Sequence, residues 1–158
     1  MTFEGQERRK KLLWSMGLLA AIVIGAGLVT MAVTSYFRSQ DPIYQCISNP
    51  SAEPFQVSIP ISATENGVPT VVPKGVGISA NCIHPIHTLK ENVIHLAYNR
   101  PYDFTLGHFL YYWIGTKLQN FNTKVFVNGN QFTQGDILDI PLKQGQSIRI
   151  EFTSKANG

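Results

Sequence analysis

Charge of one sign is what this chain lacks once its first eleven residues are set aside. Residues 38–158 carry nine basic and eight acidic side chains. No face can gather the Lys and Arg that would neutralise a phosphate backbone, so nucleic acid is not expected as a partner. Cysteine is scarce as well: Cys46 and Cys82 are the only two, which excludes a Cys-x-x-Cys motif. There is no Ser/His/Asp ordering, no pair of catalytic carboxylates and no phosphate-binding glycine loop, and Gly75-Val76-Gly77 reads only as a turn. Without a positioned acid, base or nucleophile, an enzyme is not expected. At 158 residues the chain has room for one modest core and no second globular domain.

A long apolar run is present. Between Lys11 and Arg38 lie 26 residues, from Leu12 to Phe37, without an ionisable acid or base. As a helix they would be about 39 Å long, enough to cross a hydrocarbon core of about 30 Å. Trp14 at one end, and Tyr36 with Phe37 at the other, are the amphipathic rings that favour the headgroup layers. Arg8, Arg9, Lys10 and Lys11 precede the run and a single Arg38 follows it, so the positive-inside bias puts the N-terminus in the cytoplasm. The run is too long for the apolar core of a cleaved signal peptide and no small-x-small site follows it, which predicts an uncleaved signal anchor. Gly17, Ala21 and Gly25 form a small-residue stripe of a kind common in membrane helices. The expected organisation is a cytoplasmic tail over 1–11, a transmembrane helix over 12–37, a linker over 38–54 and an extracytoplasmic β-rich domain over 55–158, held at the cell membrane by a single pass. The lipid bilayer and other membrane proteins are the expected partners.

The domain itself reads as α+β with an antiparallel bias and one packed helix. Phe55 to Ile61 alternates with period two, and Asn66-Gly67 signals a hairpin with Val68 to Val72 as the return strand. Pro60 and Pro69 imply edges or bulges. Val93 to Tyr98 is a further strand. Thr105 is a predicted N-cap for a helix over Leu106 to Lys117, because Leu106, Phe109, Leu110 and Trp113 recur at helical spacing. Lys124 to Val127 leads into Asn128-Gly129, and Ile137 to Leu142 and Ser147 to Phe152 alternate again around Gln144-Gly145. Ser39 to Pro54, with three prolines and no apolar period, reads as a linker.

Three groups of residues are candidates for function. On the outer face of a membrane an even cysteine count favours a disulfide between Cys46 and Cys82. His84, His87 and His95 fall within twelve residues; imidazole suits copper and zinc, so they are the one candidate metal site, although structural histidines bonded to backbone or water account for the same pattern. In Tyr111, Tyr112 and Trp113, helical spacing cannot bury all three rings on one face, which leaves one or two as contact residues for a partner.

Two resemblances extend this reading. Val93 to Phe152 resembles the latter part of a β-grasp (ubiquitin-like) domain: a strand, a helix entered by Thr105-Leu106-Gly107, a strand ending in Val127-Asn128-Gly129, and a closing strand after Lys143-Gln144-Gly145. It implies that scaffold, with a β-sandwich as the alternative, and no activity. Val68 to Phe152 also resembles an uncharacterised family of membrane-anchored outer-face domains whose pattern is Cys, then His-Thr-His-Asp, then Ile-His-x-Glu, then Thr-Leu-Gly-x-Phe-Phe with a downstream Trp-Gly. Cys82, His87-Thr88-Leu89-Lys90, Ile94-His95-Leu96-Ala97, Thr105-Leu106-Gly107-His108-Phe109-Leu110 and Trp113 carry it here, with Leu89, Lys90 and Ala97 replacing the second His, the Asp and the Glu. The resemblance implies fold and placement only. Taken together, the sequence predicts a membrane-anchored interaction module, an accessory subunit of a membrane assembly, with an outer-face copper- or zinc-binding domain as the alternative.

Overall fold

The computed structural model describes residues 22–36 and 40–155, in two units divided after Asp41. In the first unit residues 22–36 form a helix, α1. Among the described residues no helix is long and apolar enough to cross a membrane. Arg8 to Lys11, Trp14, Gly17, Ala21, Phe37 and Arg38, on which the predicted span and its orientation lean, lie outside the described residues.

The second unit is α+β, mostly β, and is organised around one strand. β1 (Phe55–Glu65) buries every second residue, Val57, Ile59, Ile61 and Ala63, and turns Ser58, Ser62 and their neighbours outward, as a period-two sequence with one apolar face requires. Its first half, Phe55 to Pro60, pairs antiparallel with β6 (Val93–Tyr98), which in turn pairs with β5 (Ile86–Lys90). Its second half, Ile61 to Glu65, pairs antiparallel with β2 (Val68–Thr70) on one side and parallel with β9 (Ile148–Ser154) on the other. Pro60 stands at the change of partner, and its missing N–H explains why a ladder ends there. β7 (Phe121–Val127) and the short β8 (Asn130–Gln131) complete the order β5-β6-β1-β9-β7-β8. The remaining pair, β3 (Ile78–Ser79) and β4 (Cys82–Ile83), forms a small separate ribbon.

The antiparallel sheet predicted from sequence is therefore mixed. Hairpin turns at Asn66-Gly67 and Asn128-Gly129, all four residues at positive φ, give the local antiparallel pairs as expected. The β1/β9 pairing is parallel because β9 returns after a crossover containing helix α2 (Leu106–Trp113), which packs Leu106, Phe109 and Leu110 into the core. Full burial of one such side chain contributes about 1.5–3 kcal/mol.

Other expectations are corrected in detail. α2 ends at Trp113, four residues before Lys117, because Gly115 at φ +58 turns the chain into a 3₁₀ helix over Gly115–Asn120. Ile137 to Leu142 contains no strand. Asp136 caps a 3₁₀ turn over Ile137–Asp139 by accepting from Leu138 N–H at 2.9 Å, and only Pro141 forms a bridge, to Thr105. Gly107 explains how that turn reaches the helix: a Cβ there would lie 2.7 Å from the Leu138 carbonyl oxygen. The predicted linker is packed from Pro42 onward, with Ile43 and Ile47 buried in the core and Ile47 bridged to Ile83.

Candidate functional site

Residues 42–54 form a strap across one end of the sheet. Cys46 and Cys82 are joined in a disulfide, as the sequence predicts, closing 36 residues of separation. Backbone and side-chain bonds extend the attachment. Ile47 N–H donates to the Ile83 carbonyl at 2.8 Å, Tyr98 Oη to Gln45 Oε1 at 2.7 Å, and Tyr112 Oη to the Ile43 carbonyl. Gln56 on β1 donates through Nε2 to the carbonyls of Glu53 (2.8 Å) and Ser51 (3.1 Å), which fixes the 3₁₀ turn Pro50–Ala52 over β1 and β6. Three prolines concealed this from the sequence, because the packing partners of the strap are distant in the chain.

Under the strap a polar row crosses three strands. Ser58 on β1 is the Cα partner of His95 on β6, and His95 is the Cα partner of His87 on β5. Directly opposed residues share a face, so the three side chains are neighbours by construction of the ladder. The two imidazole rings lie 6.1 Å apart, centroid to centroid, with their planes inclined by 25°. His87 is fully buried. Its Nδ1 lies 2.8 Å from the His84 carbonyl oxygen; because a carbonyl only accepts, Nδ1 carries the proton and Nε2 of the neutral ring carries the lone pair. His95 Nδ1 lies 3.0 Å from Ser58 Oγ. Gly77, at φ +71, brings its own turn so close over β5 that a Cβ would stand 2.2 Å from the Ile86 carbonyl oxygen and 3.1 Å from His87 Cα.

Neither Nε2 has a hydrogen-bond partner, and both atoms are buried. Thr88, next to His87 and equally buried, shows the normal condition: its Oγ1 accepts from Val76 N–H at 2.9 Å and donates to the Pro73 carbonyl at 2.8 Å. Both histidines line a cavity of about 40 Å³ with Pro50, Ser51, Gln56 and Ser58. Burial, which disfavours the imidazolium, lowers the pKa of both rings; charge on His95 adds to this at His87, although the His84 carbonyl opposes it, and Lys90 adds to it at His95.

The third predicted ligand does not join them. The His84 ring stacks on Tyr112 at 4.5 Å, its Nδ1 lies 3.2 Å from the Gln45 carbonyl oxygen, and it borders Sγ of Cys82. Pro85 separates His84 from β5, so alternation does not carry it to the face of the other two. Among the described residues no group of three or more His, Cys, Asp or Glu side chains is placed to hold one metal ion. Ser58 was missed in the sequence; its signal was its outward position in the period-two pattern of β1.

The predicted contact residues also separate. Tyr111 is 55% exposed, with Tyr44 and Tyr112 edge-on to it at 6.2 and 5.2 Å. Tyr112 is half-buried against His84, and Trp113 packs on Phe109 and Phe152 at 5.8 and 5.7 Å. His108, partly packed, closes the entry to α2 by accepting from Thr105 N–H at 3.1 Å. A second cleft, of about 270 Å³, lies between Phe55, Val57, Tyr102 and Leu142.

Comparison of the chain with protein-family models, curated proteins and solved structures returns no match.

Proposed function

We propose that this chain is a single-pass, membrane-anchored extracytoplasmic interaction module, an accessory subunit of a membrane protein assembly. The observation that carries the reading is the surface of α1. Ile22, Val23, Ile24, Leu28, Val29, Met31 and Val33 point in all directions around the helix and are 47–71% exposed. A helix apolar on every side belongs in an apolar surround. Thr30 and Thr34 return their hydroxyls to the carbonyls of Ala26 and Thr30, at 2.8 and 2.6 Å, which satisfies them without water. The described helix is 15 residues and about 22 Å long, and in the sequence ten uncharged residues, from Leu12, precede it.

The disulfide fits an oxidising, extracytoplasmic compartment. The strand order β2-β1-β9-β7-β8, with β1 and β9 parallel at the centre and a helix between the β1/β2 hairpin and β7, supports a β-grasp reading in which β1, not the Val93–Tyr98 strand counted from sequence, is the strand before the helix; β3 to β6 are then an insertion that carries His87 and His95. On this scaffold Tyr111 is the contact residue, an exposed aromatic supported from both sides by other tyrosines. Purification of the full chain in mild detergent is expected to recover a stoichiometric membrane partner, and Tyr111→Ala to weaken that association by about 2 kcal/mol, the size of an aromatic hot spot. A lone monomer, or a C-terminal reporter shielded from protease added to intact cells, refutes the reading.

A further inference from the structure

We infer that His87 and His95 form a two-coordinate binding site for a monovalent copper ion beneath the Cys46–Cys82 strap. Each ring has one nitrogen already engaged, His87 Nδ1 by the His84 carbonyl at 2.8 Å and His95 Nδ1 by Ser58 Oγ at 3.0 Å, and one buried nitrogen with no partner. This is the arrangement of metal-bound histidines, whose second nitrogen is held by a carbonyl or hydroxyl that orients the ring and sets its tautomer. The two rings are cross-strand neighbours, their centroids 6.1 Å apart and their planes inclined by 25°. The cavity of about 40 Å³ that both rings line holds an ion of this size.

The donor set decides the metal. Zinc asks for four ligands, commonly with thiolate or carboxylate charge among them. Here Cys46 and Cys82 are consumed in the disulfide, and among the described residues no Asp or Glu completes a set. Two neutral imidazoles lining one small cavity suit a soft, singly charged ion that accepts two ligands, and imidazole is a good copper ligand. Lys90, whose charge is felt at His95, weighs further against a divalent ion. The strap limits access, since Pro50 and Ser51 line the same cavity and are tied down by Gln56 and the disulfide.

The test uses the full chain in detergent micelles under argon, with copper(I) maintained by ascorbate, which leaves disulfides intact, and bicinchoninate as the competing chelator. One equivalent of copper is expected to stay with the protein. In the ¹⁵N spectrum of the histidines, the Nε2 signals of His87 and His95 are expected to shift while those of His84 and His108 stay. His95→Gln is expected to lower copper affinity at least tenfold and His84→Gln to leave it unchanged. The spectrum reports on the unaltered chain, so the test stands even where His87→Gln, at a fully buried position, fails to fold. Complete loss of copper to the chelator, retention undiminished in His95→Gln, or Nε2 signals that stay in place overturns the proposal and leaves the cavity to a bridging water.

Discussion

The two halves of β1 are continuous in sequence and pattern, yet they are stabilised by different means. From Ile61 to Glu65 the strand lies between β2 and β9, and its inward residues meet Ile148, Ile150 and Phe152 in a core that α2 covers. From Phe55 to Pro60 it pairs with β6, and its outward face carries the Ser58, His95 and His87 row under a strap fastened by a disulfide and side-chain hydrogen bonds. Apolar packing is non-directional and needs only volume and pattern. A polar row with two unpartnered nitrogens costs free energy in an apolar setting, and packing alone does not account for it. The contrast teaches that the second half is held by apolar packing alone, whereas the first half carries the polar row on which the proposed site rests.

The comparison is sharpened first by removing core from the scaffold half. Phe109→Ala is expected to destabilise the whole domain by about 3–5 kcal/mol, the usual cost of a buried aromatic, visible as a lower urea midpoint with both halves unfolding together. Breaking the strap comes next. Cys46→Ala with Cys82→Ala is expected to cost about 3–4 kcal/mol by loss of a cross-link spanning about 36 residues. Hydrogen exchange should then accelerate at β1's first half, β5 and β6 more than at β7 and β9; equal acceleration would dissolve the distinction between the halves.

Acid gives the smallest of the three effects. In the metal-free protein burial holds the pKa values of His87 and His95 below the ordinary histidine value of about 6.5. The unfolded chain therefore takes up protons more readily, so stability is intact above pH 6.5 and falls as pH drops through it, levelling off below the folded pKa. Urea unfolding at a series of pH values tests the sign. His95→Gln should flatten part of the slope, whereas a slope rising toward acid would contradict the burial of these rings.

Much of this was legible in the chain because it is local. Phe55 to Ile61 showed period two, Asn66-Gly67 and Asn128-Gly129 specified their turns, and Thr105 marked the start of α2. The disulfide followed from the cysteine number and the compartment expected for the chain. The parallel β1/β9 pairing was not legible, since antiparallel and parallel strands share one alternation and only the path of the crossover separates them. Ile137 to Leu142 alternated like a strand, but its place beside Gly107 is a tertiary fact. Spacing grouped His84, His87 and His95, and alternation along an extended segment set His84 and His87 on opposite sides unless Pro85 turned the chain. Cross-strand register alone joined His87 to His95 and to Ser58, and stacking on Tyr112 drew His84 away.

Residue order by itself determined the apolar helix, the alternating strands, the glycine turns and the two cysteines able to pair, because each depends on neighbours a few positions apart. Tertiary structure decided which strands lie parallel, that the proline-rich lead-in is a packed strap, and which two of three histidines face one cavity. Those outcomes depend on registers between segments tens of residues apart, and a register is set by how whole faces pack rather than by any local run of side chains.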